Sequence, residues 1–158
     1  MELSKNFTLE EMCESQRAKE HGIVNQVTDT EHLNNLKELC TKVLQPLRDE
    51  WGSPIRVTSG YRRPQLNALL KGSATSQHLV GSACDLDVGE KSDNLRLFEI
   101  AANSDLPFDQ LINEFDGEWV HISHRNGGIQ RGQILESKKG KNGKTYYTDI
   151  TKKYRQYR

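Results

Sequence analysis

The chain has 158 residues, a formal net charge of zero, 34% hydrophobic and 28% charged residues. That length suits one domain and lets it bury about 68–70% of its unfolded surface. Nothing approaches the roughly 18 consecutive apolar residues of a membrane span, and residues 1–7 lack the basic-then-apolar pattern of a signal peptide, so a soluble protein made in the cytoplasm is expected.

Thr8 and Glu11 have capping-box spacing, and Phe7 and Met12 stand at staple positions, which predicts a helix running to Gly22. Thr28-Asp29-Thr30-Glu31 opens a second helix. Its stripe of Leu33, Leu36, Leu39, Val43, Leu44 and Leu47 is core, Pro46 should kink it, and Trp51-Gly52 ends it. His21 and His32 read as a helix-terminal and a solvated side chain. Residues 55–59 alternate as a strand, and Pro64 suits the first turn of a short helix. Residues 83–88 alternate Ala83, Asp85 and Asp87 against Cys84, Leu86 and Val88, a strand with one polar face.

A helix follows from Ser92, with Leu95, Phe98 and Ala102 inward and Pro107 as its stop. Residues 109–115 and 119–123 read as a hairpin joined by Asp116-Gly117. Gly127-Gly128 makes another turn. Residues 129–137 and 144–150 are candidate strands around an Asn-Gly turn, and the last eight residues are expected to fray. Cys13, Cys40 and Cys84 have no metal-knuckle spacing and read as free thiols. Residues 137–158 carry a net charge of +7, leaving −7 for residues 1–136. The expected division is a catalytic unit over 1–136 and a basic hairpin and tail over 137–158, either separate from it or part of the same domain, and suited to an anionic partner.

The chemistry concentrates in Ser76-Gln77-His78-Leu79-Val80-Gly81-Ser82-Ala83-Cys84-Asp85. An imidazole and a carboxylate are two of the three protein ligands a catalytic zinc needs. His121, in Trp119-Val120-His121-Ile122-Ser123, supplies an imidazole on a neighbouring strand. Asp87 shares the face of Asp85 and is the competing ligand, or else a partner for a histidine N–H. His124 is another decoy, with at most a substrate-side or solvated role. Arg62, at a strand end, can hold an oxyanion or a carboxylate in a cleft.

Ser59-Gly60-Tyr61-Arg62, then Ser76-x-His78-x-x-Gly81-x-Ala83-x-Asp85, then Glu118-Trp119-Val120-His121 resemble the zinc D-Ala-D-Ala peptidase family over roughly residues 5–135. That family includes D,D-carboxypeptidases, D,D-dipeptidases and phage endolysins. The resemblance implies an α+β fold with a small, mostly antiparallel sheet flanked by helices, of the hedgehog/DD-peptidase kind. It implies zinc held by His78, Asp85 and His121, Glu118 as general base, Arg62 on the transition-state charge and Ser76 on the substrate. Asn67 fits a supporting amide.

The expected reaction is hydrolysis of an amide in the peptide stem or crosslink of bacterial peptidoglycan, by a monomer reaching the wall after release, as a phage enzyme would. The alternative is a zinc-containing wall-binding module that hydrolyses nothing. Nucleic-acid binding through Tyr154, Arg155, Tyr157 and Arg158 is not expected, because the remainder is acidic. One local conflict attends Glu118: three residues before His121 on a strand, it faces the other side unless a bulge re-aims it. Glu114 is the substitute base.

Overall fold

A computed structural model describes residues 1–155. The chain opens with two short antiparallel strands, β1 (Glu2–Ser4) and β2 (Phe7–Thr8). Thr8 then caps α1 (Leu9–Cys13), its hydroxyl accepting from the Glu11 amide at 3.2 Å. Phe7 and Met12 are both buried in the core. The helix does not continue to Gly22. Glu14 takes an extended conformation, and Ser15 caps a fresh helix, α2 (Gln16–Glu20), by accepting from Ala18 N at 3.2 Å. A serine hydroxyl satisfies a helix-start amide better than it tolerates a helix interior, so the chain restarts there.

Asp29 caps α3 (Thr30–Leu39), taking the amides of Glu31 and His32 at 2.8 and 3.2 Å. One π turn, Cys40–Leu44, joins α3 to α4 (Gln45–Trp51), which ends at left-handed Gly52. Pro46 lacks an N–H and its ring crowds the carbonyl four residues back. The wide turn, in which Gln45 N bonds Cys40 O, absorbs that conflict. The expected disturbance at Pro46 therefore takes the form of a π bulge.

The rest builds the main sheet: β3 (Arg56–Ser59), α5 (Pro64–Leu69), a 3₁₀ turn over Gln77–Val80, β4 (Ala83–Asp87), α6 (Lys91–Ala102), β5 (Gln110–Glu114), β6 (Trp119–Ser123), β7 (Gln133–Lys139), β8 (Thr145–Asp149) and α7 (Thr151–Arg155). The strand order is β3-β4-β6-β5-β7-β8. The α+β organisation is as expected, but the sheet is mixed, because β5 and β7 are parallel while the other pairings are antiparallel. The reason is positional. β6 already has β4 and β5 on its two edges, so the chain leaving it joins an outer edge of the sheet; it takes that of β5, and its reversal makes β7 parallel to β5.

The 136/137 division falls inside β7, whose Glu136 and Ser137 pair with Asn113 and Glu114 of β5. The segment expected to fray forms α7 over Thr151–Arg155. Tyr154 donates to Glu99 Oε1 at 2.8 Å, and Arg155 donates to the Ala102 carbonyl at 2.5 Å. Tyr154 and Arg155 thereby hold α7 against α6; Tyr157 and Arg158 lie outside the described residues.

One face of the sheet carries Cys84, Leu86, Leu111, Val120 and Ile122 against Leu36, Leu39, Leu44, Leu97 and Phe98 of the helices. Each such side chain contributes roughly 1.5–3 kcal/mol by burial. Strict alternation then sends Asp85, Ile112, Glu114 and His121 to the opposite face. Gly81 makes the entry to β4 possible. It sits at φ +77°, and a Cβ there would stand 2.6 Å from the His32 carbonyl.

Candidate metal centre

Register brings the first two site residues together: Asp85 of β4 lies directly opposite His121 of β6. Their side chains meet, with Nδ1 of His121 2.9 Å from Oδ1 of Asp85. His78 arrives from the 3₁₀ turn that precedes β4, and its Nε2 is 3.5 Å from Asp85 Oδ2. The two rings stand 5.2 Å apart, nearly edge to face. His78 Nδ1 lies 2.7 Å from the Gly60 carbonyl, which only accepts. Nδ1 therefore donates, and the lone pair of Nε2 is turned toward Asp85.

The three ligand atoms all lie within 4.8 Å of one another. Two imidazoles and a carboxylate are zinc donors, and ligands about 2 Å from a tetrahedral zinc stand about 3.3 Å apart. The contacts of 2.9 Å to Asp85 Oδ1 and 3.5 Å to Asp85 Oδ2 are of that size, and the donor set is one that suits the metal. Burial pushes the His78 ring toward its neutral form, against the opposing pull of Asp85. Burial also pushes the Asp85 carboxyl up, but the flanking His78 and His121 outweigh it and hold Asp85 well below the usual carboxylate range. Neutral imidazole and ionised carboxylate are the ligand forms a cation needs.

Arg62 braces this group. It donates to Ser59 Oγ at 2.9 Å, to Asn67 Oδ1 at 3.3 Å and to Asp85 Oδ2 at 3.3 Å. A guanidinium has five N–H donors, so two remain. Asn67 in turn donates to the Ser73 carbonyl at 2.9 Å. Gly72 lets that loop close, since a Cβ there would collide with the Asn67 amide. Ser76 lines the same cleft, with its hydroxyl accepting from His78 N at 3.2 Å. It thus sets the turn that carries His78, and its O–H is still able to donate.

The two glutamates part company. Glu118 is not brought to the cluster: it lies half-exposed beside Lys91, 2.9 Å from its ammonium, in a separate surface hollow with Lys138 and Lys139. No bulge re-aims it. The turn runs through Phe115, Asp116 and Gly117, all at positive φ, and Glu114 pairs with Trp119, which leaves Glu118 on the outer side. Glu114 is the carboxylate in the cleft. It is buried, Ser137 Oγ donates to its Oε1 at 2.7 Å, and burial raises its pKa despite that bond.

The other predicted decoys go elsewhere. Asp87 accepts from Asn94 Nδ2 at 3.0 Å and from Gly89 N at 3.1 Å, organising the start of α6. His124 is buried, with Nδ1 2.6 Å from the Pro107 carbonyl. His32 is half-buried rather than solvated, its Nδ1 3.1 Å from the Tyr61 hydroxyl. All three cysteines are free thiols, and Cys84 faces the core.

A model of the family described as peptidase M15 matches residues 5–123. The chain belongs to the peptidase M15 family. A search of curated proteins finds no match. M15 peptidases are zinc-dependent, and in this M15 peptidase the His78–Asp85–His121 group is able to hold the metal. Among the described residues no helix is long and apolar enough to cross a membrane.

The cleft of this M15 peptidase has a volume of about 780 Å³ and extends beyond the family match to Arg125 and Arg131. Sequence reasoning missed what these arginines hold. Asp109 has no exposed surface, yet it accepts from Arg131 Nη2 at 2.7 Å, Arg131 Nε at 3.1 Å, Arg131 N at 2.9 Å, Arg125 Nε at 3.2 Å and Gln77 Nε2 at 3.0 Å. Burial alone would raise this carboxyl; the bonds from Arg131 and Gln77 instead bring it down to about 2. The partners come from two stretches distant in sequence from Asp109, the turn at Gln77 and the loop carrying Arg125 and Arg131, so no local pattern announces the cluster. The one available signal is an aspartate placed immediately before an apolar strand.

Proposed function

We propose that the chain is a zinc peptidase that hydrolyses an amide bond in the peptide stem or crosslink of bacterial peptidoglycan. The observation that carries this reading is the convergence of His78, Asp85 and His121 on one point in a cleft that also receives the Glu114 carboxylate. His78 would bind through Nε2, His121 through Nδ1 and Asp85 through its carboxylate. When bound, zinc supplies Lewis acidity to a substrate carbonyl and to water.

The protein residues do the rest. Glu114 takes a proton from the attacking water and returns it to the leaving amine. A carboxyl raised by burial is nearer in pKa to the groups it must exchange with, and Ser137 fixes its rotamer. Arg62 orients Asp85 and aims its two remaining N–H groups at developing oxyanion charge. Ser76 contributes a donor at the cleft wall. Glu114 also separates this reading from that of a pure binding module, which has no use for a buried base beside a metal site. Zinc content and mass spectrometry of digested muropeptides test it together. One zinc per chain with a new amine terminus at a single stem bond is expected; intact muropeptides with zinc bound would overturn the hydrolytic reading.

A further inference from the structure

The ion pairs around Asp109 leave charge unspent. Asp109 is fully enclosed, while the side chains of Arg125 and Arg131 are 49% and 44% exposed. One carboxylate faces two guanidiniums, so the cluster keeps a net positive charge. Arg125 reaches Asp109 only through Nε, and Arg131 through Nε and Nη2. Both terminal nitrogens of Arg125 and Nη1 of Arg131 have no partner among the described residues. They line the same cleft as His121 and Glu114. Arg62, in contrast, is only 12% exposed and already committed to three acceptors. The cation suited to receive a carboxylate from substrate is therefore the outer pair.

We propose that Arg125 and Arg131, presented by Asp109, form a subsite for a free carboxylate of the bound peptide. This rests on the peptidase reading and names the substrate class: stem peptides with an unamidated carboxylate near the scissile bond. The spacing follows from the sheet. His121 pairs with Ile112, and Asp109 lies three residues before Ile112 at the start of β5. Three strand residues span about 10 Å, the reach of about three residues of extended peptide. Gln77 joins the two ends of the cleft, since it donates to Asp109 and directly precedes His78. A planar guanidinium pair recognises carboxylate by geometry as well as by charge. Two carboxylates of a stem peptide meet this description, the α-carboxylate of its D-Glu residue and its C-terminus.

The test uses acetylated L-Ala-γ-D-Glu-L-Lys-D-Ala-D-Ala, in which the D-Glu α-carboxylate is free, and two analogues, one amidated at that α-carboxylate and one at the C-terminus. Binding of each is measured calorimetrically to the zinc-loaded full chain carrying Glu114→Gln, alone and combined with Arg125→Gln or with Arg131→Lys. One analogue should bind about tenfold more weakly than the free acid, the scale of a lost hydrogen bond to a charged group. That analogue identifies the carboxylate. Arg125→Gln should weaken the free acid by the same factor and leave that analogue unchanged. Equal binding of all three peptides, no binding of any, or an acid-to-amide ratio that persists in both arginine variants overturns the proposal. If Arg131→Lys fails to fold, Arg125→Gln decides alone. Wild-type enzyme that binds with the acid preference but cleaves nothing would sink hydrolysis and leave the subsite standing; cleavage without the preference would do the reverse.

Discussion

Asp85 lines one end of the cleft and Asp109 lies enclosed behind the arginines at the other, both held as carboxylates, and their neighbours assign them different work. Asp109 is surrounded by permanent donors: two guanidiniums, an amide side chain and a backbone N–H. Its oxygens are filled, so it has no lone pair to offer a cation. Asp85 faces two imidazoles and one guanidinium nitrogen. An imidazole presents a lone pair once it loses a proton, so the same negative charge can join a ligand set. The difference teaches that a buried carboxylate is structural or metal-binding according to whether its partners can give up their protons.

The largest expected effect breaks the Asp85 end alone. His78→Ala and His121→Ala should each remove zinc from the purified chain and abolish hydrolysis, read by metal analysis and muropeptide digestion. Retained stoichiometric zinc in either variant would end the ligand assignment. Glu114→Gln comes next: zinc stays and hydrolysis falls by about 10²–10⁴, the usual contribution of a positioned acid–base group. Loss of zinc in that variant would make Glu114 a ligand and not a base.

At the other end, Asp109→Asn should cost about 2 kcal/mol in denaturant unfolding, because it strips a buried partner from Arg131, while zinc content stays the same. The matching pH effect has a definite sign. The folded pKa of Asp109 is depressed from 3.8 to about 2, so its stabilisation is present above about pH 4 and is lost as pH falls toward 2. It amounts to about 1–2 kcal/mol after allowance for solvent screening at the half-exposed arginines. A wild-type unfolding curve that loses no more than Asp109→Asn over that range would contradict the pairing. The smallest effect belongs to Glu118→Gln. An exposed ion pair with Lys91 contributes little to stability, and hydrolysis should change less than about threefold. A large loss of activity there would return the base to Glu118.

Much of this molecule is determined by the order of its residues alone. The alternation around Asp85 and His121, the cap at Thr8, and the turn at Asp116-Gly117 follow from local chemistry, because side-chain period and φ preference act within a few residues. The three motifs, taken in order, also announced the zinc peptidase resemblance. Tertiary structure decided what depends on facing and on distant partners. Ser15 outcompeted helix continuation after Glu14, β7 took the open edge of β5 rather than that of β3, and Glu118 turned outward while Glu114 turned in. Asp109 acquired its arginines from a loop that sequence spacing does not tie to it. Strand register selects one of two faces for every side chain, and register is settled only when the whole sheet has found its order.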